Sequence, residues 1–135
     1  MDQEPVVVKD LRKSFGAQQV LKGVGISIAK SEILCVLGKS GTGKSVLLRL
    51  LIGLEKPDSG SILINGQEIT RLEEAPLNEV RRKIGFLFQG GALYDSLTIA
   101  ENVAFPLRRN TKLSDSERTE KVRALLQSVG LEKDL

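Results

Sequence analysis

A chain of 135 residues, 41% hydrophobic and 27% charged, is one domain's worth of an ordinary globular protein with enough apolar sequence to bury a core. No apolar run is long enough to span a bilayer, and the charged start Met1-Asp2-Gln3-Glu4 is not that of a signal peptide. The net charge of +3 is mild, and the absence of histidine excludes histidine-based acid–base chemistry and His-ligated zinc within these residues.

In chain order, Val6-Val7-Val8 opens a β-branched strand that runs through Leu11. After the turn-like Gly16-Ala17-Gln18, Val20 to Ile28 reads as a second strand, with Val24, Ile26 and Ile28 alternating with Gly25 and Ser27. Strands so close in sequence are expected to pair antiparallel. Phe15, between them, is either a plug for the core or a platform for a planar ring, and the residues alone favour the plug slightly. Ile33-Leu34-Cys35-Val36-Leu37 is a continuous apolar run, as for a strand buried on both faces of a parallel sheet. Cys35, the single cysteine, is expected there as an inert core thiol, which fits a reducing cytoplasm.

Gly38-Lys39-Ser40-Gly41-Thr42-Gly43-Lys44-Ser45 then matches G-x-x-x-x-G-K-[ST] in full. A helix follows, with Val46, Leu47, Leu48, Leu50, Leu51 and Ile52 apolar and Gly53 as its stop. Strand, glycine-rich loop and helix thus occur in the order a phosphate-binding loop requires. Gly38, Gly41 and Gly43 permit positive φ and close approach, so that backbone N–H groups can form an anion nest beside the helix N-terminus. Lys44 is placed to reach β- and γ-phosphates, and the Ser45 hydroxyl to ligate Mg²⁺.

Glu55-Lys56-Pro57-Asp58-Ser59-Gly60 is a dense turn signal, Ser61 to Ile64 a short strand, and Asn65-Gly66 a hairpin turn. Residues 67–78 are polar and carry no assigned element. A helix or turn around Val80 to Lys83 includes Arg81-Arg82-Lys83, which after Glu79 reads as a solvated helix end in preference to a nucleic-acid patch. Ile84-Gly85-Phe86-Leu87-Phe88 is a second apolar strand ending on Gln89. That position is either a ligand site at a strand's C-terminal end or a polar residue facing water. Gly90 to Asp95 is a flexible loop with apolar Leu93. Thr98 to Glu101 and Ser114 to Glu117 are capping boxes. Pro106 is expected to end the first of these helices near Phe105. The second carries Val122, Leu125, Leu126 and Val129 as one apolar stripe, with Gly130 as its stop.

Together these features resemble the first half of the nucleotide-binding domain of ATP-binding-cassette (ABC) transporters. The residues that carry the resemblance are Leu11-Arg12-Lys13-Ser14-Phe15-Gly16, Val20-Leu21-Lys22-Gly23-Val24, the phosphate loop, Pro57-Asp58-Ser59-Gly60-Ser61-Ile62 and Gly85-Phe86-Leu87-Phe88-Gln89. Within the family, Phe88 to Thr98 and Glu101 to Leu107 resemble the ATPase subunits of Mla-type systems, which move phospholipid between bacterial membranes. The resemblance implies an α/β phosphate-loop NTPase fold of ABC ATPase type. An antiparallel β region (1–30) precedes the phosphate-loop core (31–89), the first part of a parallel RecA-like sheet, and then the start of a helical subdomain (90–135).

It also implies ATP and Mg²⁺ as ligands and ATP hydrolysis coupled to transport. Phe15 would stack on adenine, so its platform reading now leads. Gly38 to Ser45 and the backbone N–H of Val46 would hold phosphates, with Lys44 and Gln89 in catalytic roles and Ser45 and Gln89 at the metal. Residues around 90–99 would meet transmembrane permease subunits at the cytoplasmic face of the inner membrane, and a second ATPase subunit would complete the site; no nucleic acid is implied. Val46 stands where the family often has Thr, and Ser31 where it usually has Gly, at a cost of about 1 kcal/mol if φ there is positive. The family's signature motif, Walker B aspartate, catalytic glutamate and switch histidine lie beyond its glutamine loop. This chain is therefore expected to be an incomplete cassette that binds ATP without hydrolysing it alone. A soluble ABC-type ATPase without a membrane partner and a nucleotide-holding fragment are the alternative readings. A phosphate-loop small-molecule kinase is disfavoured because no lid-like basic segment is present.

Overall fold

A computed structural model describes residues 4–131; Met1-Asp2-Gln3 of the charged start lie outside the described residues. The chain divides between Gly85 and Phe86 into two compact units.

In the first unit, β1 (Val6–Phe15) and β2 (Gln18–Ile28) form the expected antiparallel hairpin around Gly16-Ala17. β3 (Ser59–Ile64) joins the other side of β1, and the short β4 (Gln67–Glu68) follows the Asn65-Gly66 turn, where φ is positive at both residues. The sheet order is β2-β1-β3-β4, all antiparallel. Val8 and Leu11 are both buried although three residues apart, a spacing that a regular strand would send to opposite faces. A bulge at Lys9-Asp10, with Asp10 at φ 44°, absorbs the extra residue and returns Leu11 to the core. Gly60 faces the bulge with φ 94°, and a Cβ there would lie 2.5 Å from the Asp10 carbonyl oxygen.

Two helices pack on this sheet, α1 (Lys44–Leu51) through Leu47 and Leu50 and α2 (Glu74–Arg81) through Leu77 and Val80. Helix α1 ends as expected, with Gly53 left-handed and the Leu54 N–H donating to the Arg49 carbonyl. Arg81 is not the solvated helix end the sequence suggests. Its Nε donates to the Ile52 carbonyl at 2.9 Å and its Nη2 to that of Gly53 at 2.8 Å, so α2 supplies the cation that closes α1. Arg82 pairs with Glu79.

The two apolar runs expected as parallel strands are not strands. Residues 33–37 and 84–88 carry no ladder, and Ile33 and Leu37 are 88% and 91% exposed. A strand exists only with a neighbour to take its N–H and C=O groups, and among the described residues no segment pairs with either run. Cys35 is accordingly exposed, not the core thiol expected. Ile84, at the start of the second run, packs against the first unit's core. Ser31, just ahead of the first run, does adopt positive φ, at 64°.

The second unit contains α3 (Ile99–Asn110) and α4 (Asp115–Ser128), which pack through Ala104, Val122 and Leu126. Both capping boxes form in full, with Glu101 and Glu117 each accepting from the N-cap backbone. Pro106 does not end α3. The helix continues four residues past it because Leu107, beyond the proline, packs with Ala104 on the α4 contact, outweighing one lost backbone hydrogen bond. The stripe on α4 is narrower than expected: Val122 and Leu126 are buried, whereas Leu125 and Val129 are exposed. Gly130 closes α4 in the left-handed conformation.

Candidate functional site

The glycine-rich loop leads directly into α1, with Gly43 as N-cap at φ 98°. Gly41 is also left-handed, at φ 79°. Gly38 is not among the left-handed glycines; its small size makes room instead, since a Cβ would meet the Thr42 hydroxyl at 2.9 Å. Gly43 is buried against β2, where a Cβ would stand 2.7 Å from Val20 Cγ1 and 3.2 Å from Leu21 Cδ2. That contact fixes the start of α1 on the hairpin that also carries Phe15.

No side chain caps α1 and no acidic residue occupies its first turn. Its orphan N–H groups and the positive end of its dipole are therefore open to an anion. The loop folds over the lysine. Lys44 Nζ donates to the carbonyls of Gly38 and Lys39, each at 2.7 Å, and the Thr42 hydroxyl donates to the same Lys39 carbonyl at 2.9 Å. The ammonium is thus held inside the loop's curve, with one of its three N–H groups left over. Lys39, Ser40 and Ser45 are exposed, and Ser45 sits in the first turn of α1. Val46 is half-buried against the sheet core, so what it can offer a ligand is its backbone N–H.

Phe15 ends β1 and is 46% exposed, so it plugs no core. Lys13 Nζ lies 5.1 Å from the centroid of its ring. Lys13 also donates to the Lys56 carbonyl at 2.7 Å, and Asp58 accepts from the Ser14 N–H at 2.6 Å. The segment after α1 is thereby tied to the strand end that carries Phe15. Lys13 and Asp58 were not singled out from the sequence as site residues. The available signal was an aspartate after proline in a turn, a residue type that accepts backbone hydrogen bonds.

The structure brings the loop, Ser45, Val46 and Phe15 into one unit. Gln89 belongs to the other, exposed, ahead of two left-handed glycines, Gly90 and Gly91. In that unit the loop before α3 exposes Leu93 and Tyr94, at 71% and 51%. Asn102 and Phe105 of α3 anchor this loop, the Tyr94 and Phe105 rings lying 4.9 Å apart. Among the described residues no helix is long and apolar enough to cross a membrane, and no three acidic, cysteine or histidine side chains gather to hold a metal ion.

Residues 21–135 match the family model described as ABC transporter. The chain is 48% identical over 128 residues to the methionine import ATP-binding protein MetN of Brucella abortus, covering 94% of this chain and 34% of that protein. It is 46% identical over 129 residues to the probable ribonucleotide transport ATP-binding protein mkl of Mycobacterium leprae, covering 96% of this chain and 37% of that one. The chain thus spans about a third of the length of these curated relatives. Among solved structures it is similar to the ATP-binding cassette MJ0796, a dimer in a post-hydrolysis state bound to ADP and Pi, with a TM-score of 0.80 at 33% identity over 90% of this chain and 56% of that one. It also matches cbiO1 of Clostridium perfringens, part of a transporter complex, with a TM-score of 0.82 at 29% identity over 98% of this chain and 53% of the other. Over the residues it spans, its fold is that of an ATP-binding cassette, and the chain belongs to the ABC transporter family.

Proposed function

We propose that this chain is the nucleotide-binding part of an ABC transporter's ATPase subunit, which binds ATP and couples its hydrolysis to transport. The observation that carries the reading is the seat of Lys44: its ammonium is held by the Gly38 and Lys39 carbonyls at 2.7 Å, under a loop whose next helix starts uncapped. A triphosphate entering that loop meets backbone N–H groups, the helix dipole and a fixed cation together. With Lys13 over one face of its ring, Phe15 offers the other face to adenine.

Mg²⁺ fits the donor set. Magnesium keeps most of its waters and takes one or two protein oxygens plus phosphate oxygens, so an exposed hydroxyl in the first turn of α1 suffices without an acidic cage. Ser45 would hold it, joined by Gln89, and the ion would supply charge neutralisation at the β- and γ-phosphates. The role proposed for these residues is binding and charge stabilisation. Titrating the wild-type chain and Lys44→Ala with ATP tests this reading; equal affinity would sink it.

Residues around 90–99 are the proposed contact with transmembrane subunits, at the cytoplasmic face of the inner membrane, and a second ATPase subunit is the proposed partner in the site. Exposed Leu93 and Tyr94 on an anchored loop support the first, and the dimeric form of the similar cassette supports the second. Loss of co-purifying membrane subunits on Leu93→Asp in the assembled transporter is the expected result. Phospholipid is the cargo that the Phe88–Leu107 segment favours, while the curated relatives are named for methionine and ribonucleotide. Phospholipid co-purifying with the assembled complex supports the lipid reading, and a complex free of lipid that binds methionine overturns it.

A further inference from the structure

β1 outruns its neighbour on the β3 side. The last β1–β3 pair is Arg12 with Ser59, and Phe15 lies three residues beyond it, at the far end of the hairpin. Asp58 carries the pairing onward. Its backbone N–H donates to the Arg12 carbonyl at 2.9 Å, and its carboxylate accepts from the Ser14 N–H at 2.6 Å, taking the place of the next strand carbonyl. The same carboxylate lies 3.9 Å from Lys13 Nζ, which stands over the Phe15 ring and donates to the Lys56 carbonyl. The residue immediately before Phe15 is therefore gripped by a side chain from the segment that leaves α1.

We propose that Asp58 is a positioning residue for base recognition: it fixes the Ser14-Phe15 strand end and Lys13, and so holds the Phe15 ring at the angle where a purine can stack. The inference rests on the nucleotide reading above. It predicts that Asp58 acts on the base-dependent share of affinity and not on the phosphate-dependent share, which belongs to the loop around Lys44.

Because the chain contains no tryptophan, Phe15→Trp supplies a single fluorescent reporter at this position. In that background, ATP and inorganic tripolyphosphate are each titrated into the parent, Asp58→Ala and Asp58→Asn. Loss of the Ser14 grip in Asp58→Ala is expected to weaken ATP about fivefold, with a smaller quench at saturation, while tripolyphosphate affinity stays within about twofold. Asp58→Asn keeps an acceptor for the Ser14 N–H and should recover most of the ATP affinity and quench. Equal losses for ATP and tripolyphosphate, or unchanged ATP binding in Asp58→Ala, overturn the proposal while leaving nucleotide binding intact. If Asp58→Ala does not fold, the ratio of the two affinities in Asp58→Asn decides, a loss falling equally on both ligands overturning it. Failure of the parent to bind either ligand overturns the nucleotide reading itself and the proposal with it.

Discussion

Asn102 grips Tyr94 at both ends of its peptide backbone. The Tyr94 N–H donates to Asn102 Oδ1 at 2.9 Å, and Asn102 Nδ2 donates back to the Tyr94 carbonyl at 3.1 Å. The same amide nitrogen faces the carbonyls of Leu97 and Thr98, so one side chain organises the turn that enters α3. Asn102→Ala removes all of these at once and leaves the carbonyls to water. We expect it to destabilise the second unit by about 1–3 kcal/mol. Amide exchange at Tyr94 should accelerate at least tenfold by NMR while exchange at Val122 in α4 changes less. Equal protection of Tyr94 in the variant would refute this role.

Arg81 does for α1 what Asn102 does for the loop. It satisfies the Ile52 and Gly53 carbonyls with separate nitrogens, and its Nη1 donates to Glu74 and Asn78. Arg81→Met retains much of the stem and loses every hydrogen bond, which should lower unfolding free energy by about 2–3 kcal/mol in urea titrations. Arg81→Lys should recover less than half of the loss, because a point ammonium cannot span two carbonyls as a planar fork does.

Gly60 and Gly16 separate two kinds of glycine requirement. Both have positive φ, but a Cβ at Gly60 runs into the backbone oxygens of Lys9 and Asp10, whereas at Gly16 it meets nothing within 4 Å. Gly16→Ala should therefore cost about 1 kcal/mol, the conformational penalty alone. Gly60→Ala must displace the bulge that puts Leu11 in the core, and a loss of about 3 kcal/mol or more is expected by thermal unfolding. Similar losses for the two variants would contradict the clash.

What could be read from the sequence was what is local. The loop from Gly38 to Ser45, the capping boxes at Thr98 and Ser114, the Asn65-Gly66 turn and the stops at Gly53 and Gly130 each depend on a few adjacent residues. The runs 33–37 and 84–88 misled because a buried strand is a relation between segments, and apolar composition alone does not supply a neighbour. Pro106 misled for the converse reason, a tertiary contact overriding a local rule. Asp58, Arg81 and Asn102 have ordinary sequence contexts, and their partners, up to 44 residues away, emerge only on folding. Of the candidate site, the phosphate loop was contiguous and legible, while the support of Phe15 was not.

Glu68 should contribute to acid sensitivity. Burial raises its pKa, but hydrogen bonds from the N–H and hydroxyl of Thr70 and from the backbone of Ile62 and Ile69 together outweigh this and leave it below the ordinary 4.5. A carboxyl depressed in the folded state stabilises it fully above the unfolded value and loses that contribution as pH falls through the folded one. The carboxyls of Glu101 and Glu117, held by their capping boxes, shift in the same direction. Glu68→Gln keeps an acceptor that does not titrate, so its stability should fall less steeply than wild type between about pH 5 and pH 3. Parallel stability curves over that window would remove Glu68 from the acid response.

Ser45 and Lys44 sit side by side at the start of α1, yet the proposed roles differ in what they need from the ligand. Lys44 already has two carbonyl partners inside the loop, and its charge acts on phosphate whether or not a metal is present. The exposed Ser45 hydroxyl has no such fixed charge to offer and matters only through the cation. Lys44→Ala should therefore weaken ATP in both EDTA and Mg²⁺. Ser45→Ala should leave affinity in EDTA within about twofold and abolish the gain that Mg²⁺ adds, since one oxygen ligand is lost from a site that supplies few. Calorimetric titration of the two variants under both conditions reads the difference directly. If Ser45→Ala keeps the full Mg²⁺ gain, the metal is held by phosphate and water without this hydroxyl, and the assignment of Ser45 fails while that of Lys44 stands.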